Sequence, residues 1–247
     1  MFLTKHDLKL SYGVHLDIGA TYVDRKIPDG NLYWKDRSIY IPSAPGYIFM
    51  PIFADLLLRA GANKDVLLSP EQLKTSEDIL HSAALLEHKR IGWEEHVHQV
   101  SKIHPHPASE SMHAELVDYL QGGLKSRNDG LQLGTKFPSL NRADSYLLSI
   151  TPLDINSFDL TLAIESWYAL MTYFLIMDDL ADIREDLKNN EENALIDAGL
   201  DQNGISTINE MIDTSIKVMN KINPVIANRI DHKKNLIDLE AIIRSIR

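Results

Sequence analysis

The feature that most constrains the fold is a long segment, from residue 157 to about residue 189, whose apolar residues recur every three or four positions. That spacing predicts an α-helix, because residues three and four apart share one helix face. Apolar side chains occupy nearly the whole circumference, among them Ala163, Trp167, Leu170 and Phe174. A helix that is apolar on all sides is buried. The segment therefore predicts the central helix of a helical protein.

Start and stop signals predict further helices on both sides of this segment. Ser69 followed by Pro70 is typical of a helix start, and Gly61 is suited to a left-handed helix end. Thr207 and Glu210 have the spacing of a capping box. The additional helices are predicted at 46–60, 69–100, 109–120, 208–222 and 224–246. Together they predict an all-α domain.

The first 45 residues differ, because they are rich in Tyr, Gly and Pro and show little helical periodicity. Residues 28–31, Pro-Asp-Gly-Asn, favour a tight turn between the segments 22–27 and 32–35. We therefore predict a small irregular or β-hairpin N-terminal arm over residues 1–45, packed on a helical domain over residues 46–247.

Composition narrows the classes of function. The 247 residues carry a formal net charge of -10, which disfavours a general nucleic-acid binder. The sequence contains no Cys, which excludes thiolate metal sites and cysteine nucleophiles. The N-terminus lacks the apolar core of a signal peptide, and the apolar run 169–177 is shorter than a bilayer span. We expect a cytoplasmic protein without a membrane span.

An acidic motif follows the apolar part of the central helix. Asp178, Asp182 and Asp186 are spaced by one helical turn, and Asp179 lies beside them. Their mutual repulsion would be relieved by a hard cation, and carboxylate oxygens suit Mg²⁺, which completes its shell with water and substrate phosphate. The motif predicts a magnesium site for a phosphorylated ligand. The alternative is a solvated acidic face on which basic neighbours pair with these carboxylates.

Residues 173–182, with the sequence Tyr-Phe-Leu-Ile-Met-Asp-Asp-Leu-Ala-Asp, resemble the second aspartate-rich motif of the trans-isoprenyl diphosphate synthases. These enzymes form the polyprenyl synthetase family of the class I terpenoid-synthase fold. Residues 79–86 and 45–58 are similar to two upstream helices of that family. The resemblance implies a terpenoid-synthase-like helical bundle that acts on an allylic prenyl diphosphate with Mg²⁺. The oligomeric state stays open, although proteins of this fold commonly form homodimers.

The resemblance also implies roles for individual residues. Asp178, Asp179 and Asp182 would be catalytic and would hold the metal, together with Asp186. Tyr173 and Phe174 would offer aromatic faces to an allylic carbocation. By charge alone, the expected diphosphate contacts are Arg184, Lys188, Lys89 and Arg90.

The chain departs from the family pattern at the first aspartate-rich motif, where it has Glu87, His88, Lys89 and Arg90 in place of the aspartate pair. This departure supports an alternative in which the protein is a non-catalytic relative. Such a relative would keep the helical fold and bind a prenyl ligand or a partner protein.

Histidines form a second local cluster, since seven of the 10 His lie between His81 and His113. Residues 95–98 and 110–113 each contain Glu-x-x-His, the pair that ferritin-like di-metal bundles use. A ferritin-like di-metal protein is therefore a less favoured alternative. The other interpretation is a hydrated, pH-responsive surface of neutral histidines.

Overall fold

The structure is a computed structural model, and it describes residues 4–24, 30, 32, 48–104, 107–123, 125–127 and 130–246. Most of these residues are helical, which confirms the all-α class. The α-helices are α1 (Lys5–Tyr12), α2 (Leu16–Val23), α3 (Phe49–Arg59), α4 (Lys64–Leu67), α5 (Pro70–Glu87), α6 (Trp93–Val100), α7 (Glu110–Gly122), α8 (Leu160–Asn189), α9 (Ala194–Ala198), α10 (Gln202–Ile222), α11 (Pro224–Lys234) and α12 (Leu239–Ile246).

Short elements connect α7 to α8. The strand β1 (Lys125–Ser126) pairs antiparallel with β2 (Gln132–Leu133). Two 3₁₀ helices follow, a first one at Pro138–Asn141 and a second one at Asp144–Ile150. The second is buried along its whole length and packs against α5, α6 and α7.

The central helix is α8, as the apolar periodicity predicts. The side chain of Asp159 accepts a hydrogen bond from the Leu162 N–H at 2.9 Å and caps its start, and Asn190, with φ of 54°, ends it in the left-handed conformation. Trp167, in the N-terminal third of α8, has no exposed surface and contacts the rings of Phe53 and Phe49 from α3. The other main neighbours of α8 are α9 and α10.

The helix predicted at 69–100 is in fact two helices. Ser69 caps α5 as expected, with its Oγ accepting from the Gln72 N–H at 3.1 Å. However, Lys89 adopts a φ of 55°, and its N–H donates to the Leu86 carbonyl at 2.8 Å, which ends α5. The next helix, α6, starts only after Gly92. The prediction of a continuous helix to residue 100 was wrong because apolar spacing does not reveal one left-handed residue.

Two further helix boundaries differ from the prediction. The start of α10 is capped by Asp201, whose Oδ1 accepts from the Gly204 N–H at 2.9 Å, so Thr207 and Glu210 lie inside the helix rather than at its cap. The segment predicted as one helix at 224–246 is divided into α11 and α12.

The described part of the N-terminal segment is helical, contrary to the irregular or β-hairpin arm expected there. Thr4 forms a capping box with Asp7 at the start of α1, and both Leu8 in α1 and Ile18 in α2 are fully buried. Tyr22, expected in the first strand of the hairpin, belongs to α2. The rest of the expected hairpin falls almost wholly outside the described residues, and so does the domain boundary at residue 45, which stays a prediction.

By length and composition, α8 is apolar enough to cross a bilayer. In the structure, 67% of its most apolar window is buried inside the protein, as is usual for the core helix of a soluble protein. The absence of a membrane span and the cytoplasmic location therefore stay predictions.

Candidate functional site

The acidic motif lies at the C-terminal end of α8, and its most buried member is Asp179, with 2% of its surface exposed. Arg142 Nη2 donates to Asp179 Oδ1 at 2.7 Å, and the Ala194 N–H donates to Asp179 Oδ2 at 2.6 Å. Both carboxylate oxygens are therefore engaged within the protein. Arg142 also lies 3.3 Å from Asp178 Oδ2, so one guanidinium bridges the two neighbouring aspartates.

Asp186 is held in a similar way by the start of α9. Asn193 Nδ2 donates to Asp186 Oδ2 and to the Asp179 carbonyl, each at 2.8 Å. Asn193 also caps α9, since its Oδ1 accepts from the Leu195 N–H at 2.9 Å. The buried carboxylates thus fasten the start of α9 and the segment around Arg142 to the central helix.

The magnesium centre that the resemblance implies would place a divalent cation against these carboxylates. Burial raises the pKa values of Asp178 and Asp179, and the Arg142 guanidinium opposes that rise. A bridging cationic side chain already supplies the positive charge that a metal would bring. Among the described residues, no group of three or more His, Asp or Glu side chains is arranged to hold a metal ion. In this arrangement the motif does not fit a Mg²⁺ platform.

The expected diphosphate contacts are all on the surface. Arg184, Lys188, Lys89 and Arg90 are exposed, and Arg184 Nη2 donates to Ser245 Oγ of α12 at 3.1 Å. Lys89 and Arg90 belong to the turn that ends α5.

Tyr173 and Phe174 are buried in the hydrophobic core. Their ring centroids lie 5.4 Å apart, and Phe174 lies 6.3 Å from the ring of Tyr12 in α1.

The histidine cluster is also divided by the fold. His96 is buried and hydrogen-bonds to Ser82 Oγ at 2.9 Å, and desolvation lowers its pKa to about 4, so it is neutral. Glu95 is exposed and accepts from Gln99, while His113 contacts the Ser101 carbonyl. The geometry therefore does not support a di-metal centre from these residues.

A cavity of about 680 Å³ lies between α8, α10 and the loop at 130–136. This volume is in the range of small-molecule sites. Its walls are formed by Gly130, Leu131, Gln132, Gly134, Thr135, Lys136, Thr161, Ile164, Glu165, Tyr168, Ala169, Thr172, Thr207, Glu210, Met211, Thr214, Ser215, Val218 and Lys221. We refer to it below as the α8–α10 cleft.

The cleft has an apolar floor and a charged rim. Ile164 and Ala169 are buried at the floor, whereas the lysines and glutamates of the rim are exposed, and Lys221 Nζ lies 3.9 Å from Glu165 Oε2. The hydroxyls of Thr214 and Ser215 donate to carbonyls of their own helix, α10, at 2.8 and 3.0 Å. Their protons are therefore already engaged and add little hydrogen-bonding capacity to the cleft. The cleft therefore suits a molecule with an apolar body and a polar end.

Tyr168 supplies a polar group to the inner wall. Its hydroxyl accepts a hydrogen bond at 2.6 Å from the N–H of Gly134, which also lines the cleft. Gly134 has a φ of +85°, and a Cβ there would lie 2.7 Å from the ring of Tyr119. Glycine is therefore required for the loop to approach this closely.

Behind Tyr168 lies Asp144, a fully buried carboxylate. Its Oδ1 accepts from Trp167 Nε1 at 2.8 Å, and its Oδ2 accepts from the Tyr119 hydroxyl at 2.5 Å. Desolvation raises the pKa of Asp144 to about 7, against the stabilising hydrogen bonds of Tyr119, Trp167 and Tyr168. A buried acid with a shifted pKa beside a cavity is a common mark of a functional site.

The cleft was not predicted from the sequence. One signal was present, because Thr161, Glu165, Tyr168 and Thr172 are spaced by four, three and four residues along the apolar central helix, which marks a polar face. Asp144 carried no comparable signal, since a single aspartate before an apolar run has no characteristic spacing.

Comparisons with protein-family models, with curated proteins and with solved structures found no match to this chain. The resemblance to polyprenyl synthetases therefore stays a prediction.

Proposed function

We propose that this protein binds a small amphipathic molecule in the α8–α10 cleft, without metal-dependent chemistry. The observation that carries the proposal is the cleft itself, a cavity of about 680 Å³ whose apolar floor lies below a charged rim. Sites of this size and composition bind ligands by burying an apolar body and by orienting it with a few polar groups.

A prenyl compound is the ligand class that we propose, within the terpenoid-synthase-like bundle that the resemblance implies. This is the non-catalytic alternative of the sequence analysis. Two observations favour it over the Mg²⁺-dependent synthase: Arg142 and the Ala194 N–H engage Asp179, and the expected diphosphate contacts are exposed. A branched hydrocarbon chain would lie along Ile164 and Ala169, and its polar end would face the inner wall or the rim.

Calorimetric titration with farnesol, in the absence of divalent cations, tests the proposal. Thr214→Trp places a large side chain in the cleft from an exposed position of α10, so we expect it to weaken farnesol binding at least about tenfold. Asn220→Trp is the matched control, because residue 220 is exposed on the same helix and does not line the cleft. It should leave the affinity unchanged.

Two results would contradict the proposal. One is the absence of farnesol binding, or binding that Thr214→Trp leaves intact. The other is a rise in melting temperature with farnesyl diphosphate that requires Mg²⁺ and is lost in Asp178→Ala or Asp182→Ala. That second result would instead support the Mg²⁺-dependent prenyl enzyme.

A further inference from the structure

One hydroxyl in the wall of the α8–α10 cleft is buried and unpaired. Thr172 has 6% of its surface exposed, and it lines the cavity. Within the described part of the chain, its Oγ1 has no hydrogen-bond partner. That oxygen is also not one of the fully enclosed polar atoms of the described chain, so the small exposed area of the residue includes the hydroxyl. The Thr172 hydroxyl is therefore accessible from the cleft.

The other hydroxyls of the described cleft wall are either engaged or open to water. Four of them form hydrogen bonds within the protein, and they belong to Thr135, Tyr168, Thr214 and Ser215. Thr161 is exposed and Thr207 is half-buried, so water can solvate their hydroxyls. A buried hydroxyl without a partner is costly. Thr172 is therefore the wall position at which a hydrogen bond from a ligand brings the largest gain.

Thr172 lies at one end of the cleft. It is the most C-terminal residue of α8 in the cavity wall, and Glu165 precedes it by seven residues, or about 10 Å along the helix axis. Glu165 lies 3.9 Å from Lys221 of α10, so this charged pair marks a different part of the cleft. The buried Ala169 and Ile164 belong to the same stretch of α8. A chain whose polar end is at Thr172 therefore covers the apolar floor on its way to the charged pair.

The charges of the cleft do not favour an anionic head group at Thr172. The charged residues of the described wall are two lysines and two glutamates, so their formal charges cancel, and all four are exposed. Moving a phosphate to a buried, neutral hydroxyl costs desolvation free energy that an exposed lysine does not offset. An uncharged alcohol avoids this cost. Its hydroxyl can donate to a threonine hydroxyl or accept from it.

We infer that the Thr172 hydroxyl is the hydrogen-bond partner of the ligand, and that the ligand is a prenyl alcohol bound with its chain directed towards Glu165 and Lys221. This inference rests on the proposed function of the α8–α10 cleft. It specifies the head group of the ligand and its orientation in the cleft.

The test is calorimetric titration of farnesol into Thr172→Val, which replaces the hydroxyl by a methyl group of similar size. One neutral hydrogen bond is lost, so we expect the Kd to be about fivefold higher than for the unmodified chain. Thr172→Ser keeps the hydroxyl and should bind farnesol within about twofold of the unmodified chain.

Thr214→Val is the matched control. It makes the same substitution at another cleft residue, but the Thr214 hydroxyl already donates to the Glu210 carbonyl at 2.8 Å. The Kd for farnesol should therefore stay unchanged in this variant.

Two further measurements test the head group and the state of the hydroxyl without ligand. Farnesyl monophosphate has the same chain and an anionic end, and we expect it to bind at least about tenfold more weakly than farnesol. The melting temperature of ligand-free Thr172→Val should equal or exceed that of the unmodified chain, because the substitution removes a hydroxyl that has no partner in the protein. A hydroxyl with a structural role would instead lower the melting temperature when removed.

The outcomes separate this inference from the proposed function. Weaker farnesol binding by Thr172→Val, but not by Thr172→Ser or Thr214→Val, together with a preference for farnesol over its monophosphate, supports the inference. Unchanged binding by Thr172→Val, equal weakening in Thr172→Ser or Thr214→Val, a lower melting temperature of Thr172→Val, or equally tight binding of farnesyl monophosphate overturns it and leaves the proposed function in place. If farnesol does not bind, or if Thr214→Trp leaves its binding intact, both proposals are overturned.

Discussion

At the scale of single residues, Asp179 and Asp182 are neighbours on one helix that differ in burial and in hydrogen-bond partners. Asp179 is buried and has Arg142 and the Ala194 N–H on its two oxygens, whereas Asp182, three residues later, is exposed. The charge of Asp182 raises the pKa of Asp178, so it adds repulsion to the motif. The motif thus contains both a structural anchor and a solvated carboxylate.

We predict that Asp179→Ala lowers the free energy of unfolding by about 3 kcal/mol, because it removes the buried carboxylate that pairs with Arg142 and leaves the Ala194 N–H without its acceptor. Asp182→Ala should change it by less than about 0.5 kcal/mol, as is usual for exposed positions. Urea unfolding followed by circular dichroism measures both. Equal effects of the two substitutions would show that burial does not distinguish these aspartates.

At the scale of elements, the break between α5 and α6 depends on one backbone conformation. Lys89 has a φ of 55°, which places its backbone in the left-handed region that glycine, without a Cβ, adopts at little cost. The helix ends there with hydrogen bonds from Lys89 and Arg90 to the last-turn carbonyls at 2.8 Å. The position of Lys89 and Arg90, the exposed cations of this turn, is therefore explained by the end of the helix and does not require a ligand.

Lys89→Gly should therefore stabilise the protein by about 1 kcal/mol relative to Lys89→Ala, because both remove the charge and only glycine removes the Cβ. Thermal and urea unfolding of the two variants provide the comparison. If the alanine variant were as stable as the glycine variant, the left-handed turn at residue 89 would not be strained.

At the scale of the whole molecule, one hydrophobic core joins the described N-terminal helices to the rest. Buried residues from Leu8 to Ile243 belong to a single cluster, and Arg59 of α3 donates to the Gly13 carbonyl at 2.7 Å. The segment expected as an attached arm thus contributes two helices to the common core.

Leu8→Ala should lower the free energy of unfolding by about 3 kcal/mol, since it removes buried methyl groups from that core. Leu10→Ala is the control on the same helix, because Leu10 is 77% exposed, and we expect a change below about 0.5 kcal/mol. Far-ultraviolet circular dichroism and tryptophan fluorescence should report one shared transition. A separate early transition, or a small effect of Leu8→Ala, would instead indicate an independent arm.

The sequence by itself determined the helical class and the central helix. Apolar residues that recur every three or four positions share one face only in an α-helix, so burying them requires that conformation. It also determined local features such as the Ser69 cap and the end of α3 before Gly61, which depend on neighbouring residues alone.

Only the tertiary structure decided which polar groups meet. Arg142 and Asp179 are 37 residues apart, and Tyr119 and Asp144 are 25 residues apart, so their pairing follows from how helices pack and not from any local pattern. The same packing engages Asp178, Asp179 and Asp186 within the protein and forms a cleft beside Tyr168, because the position of a charge relative to water and its partners is a property of the folded chain.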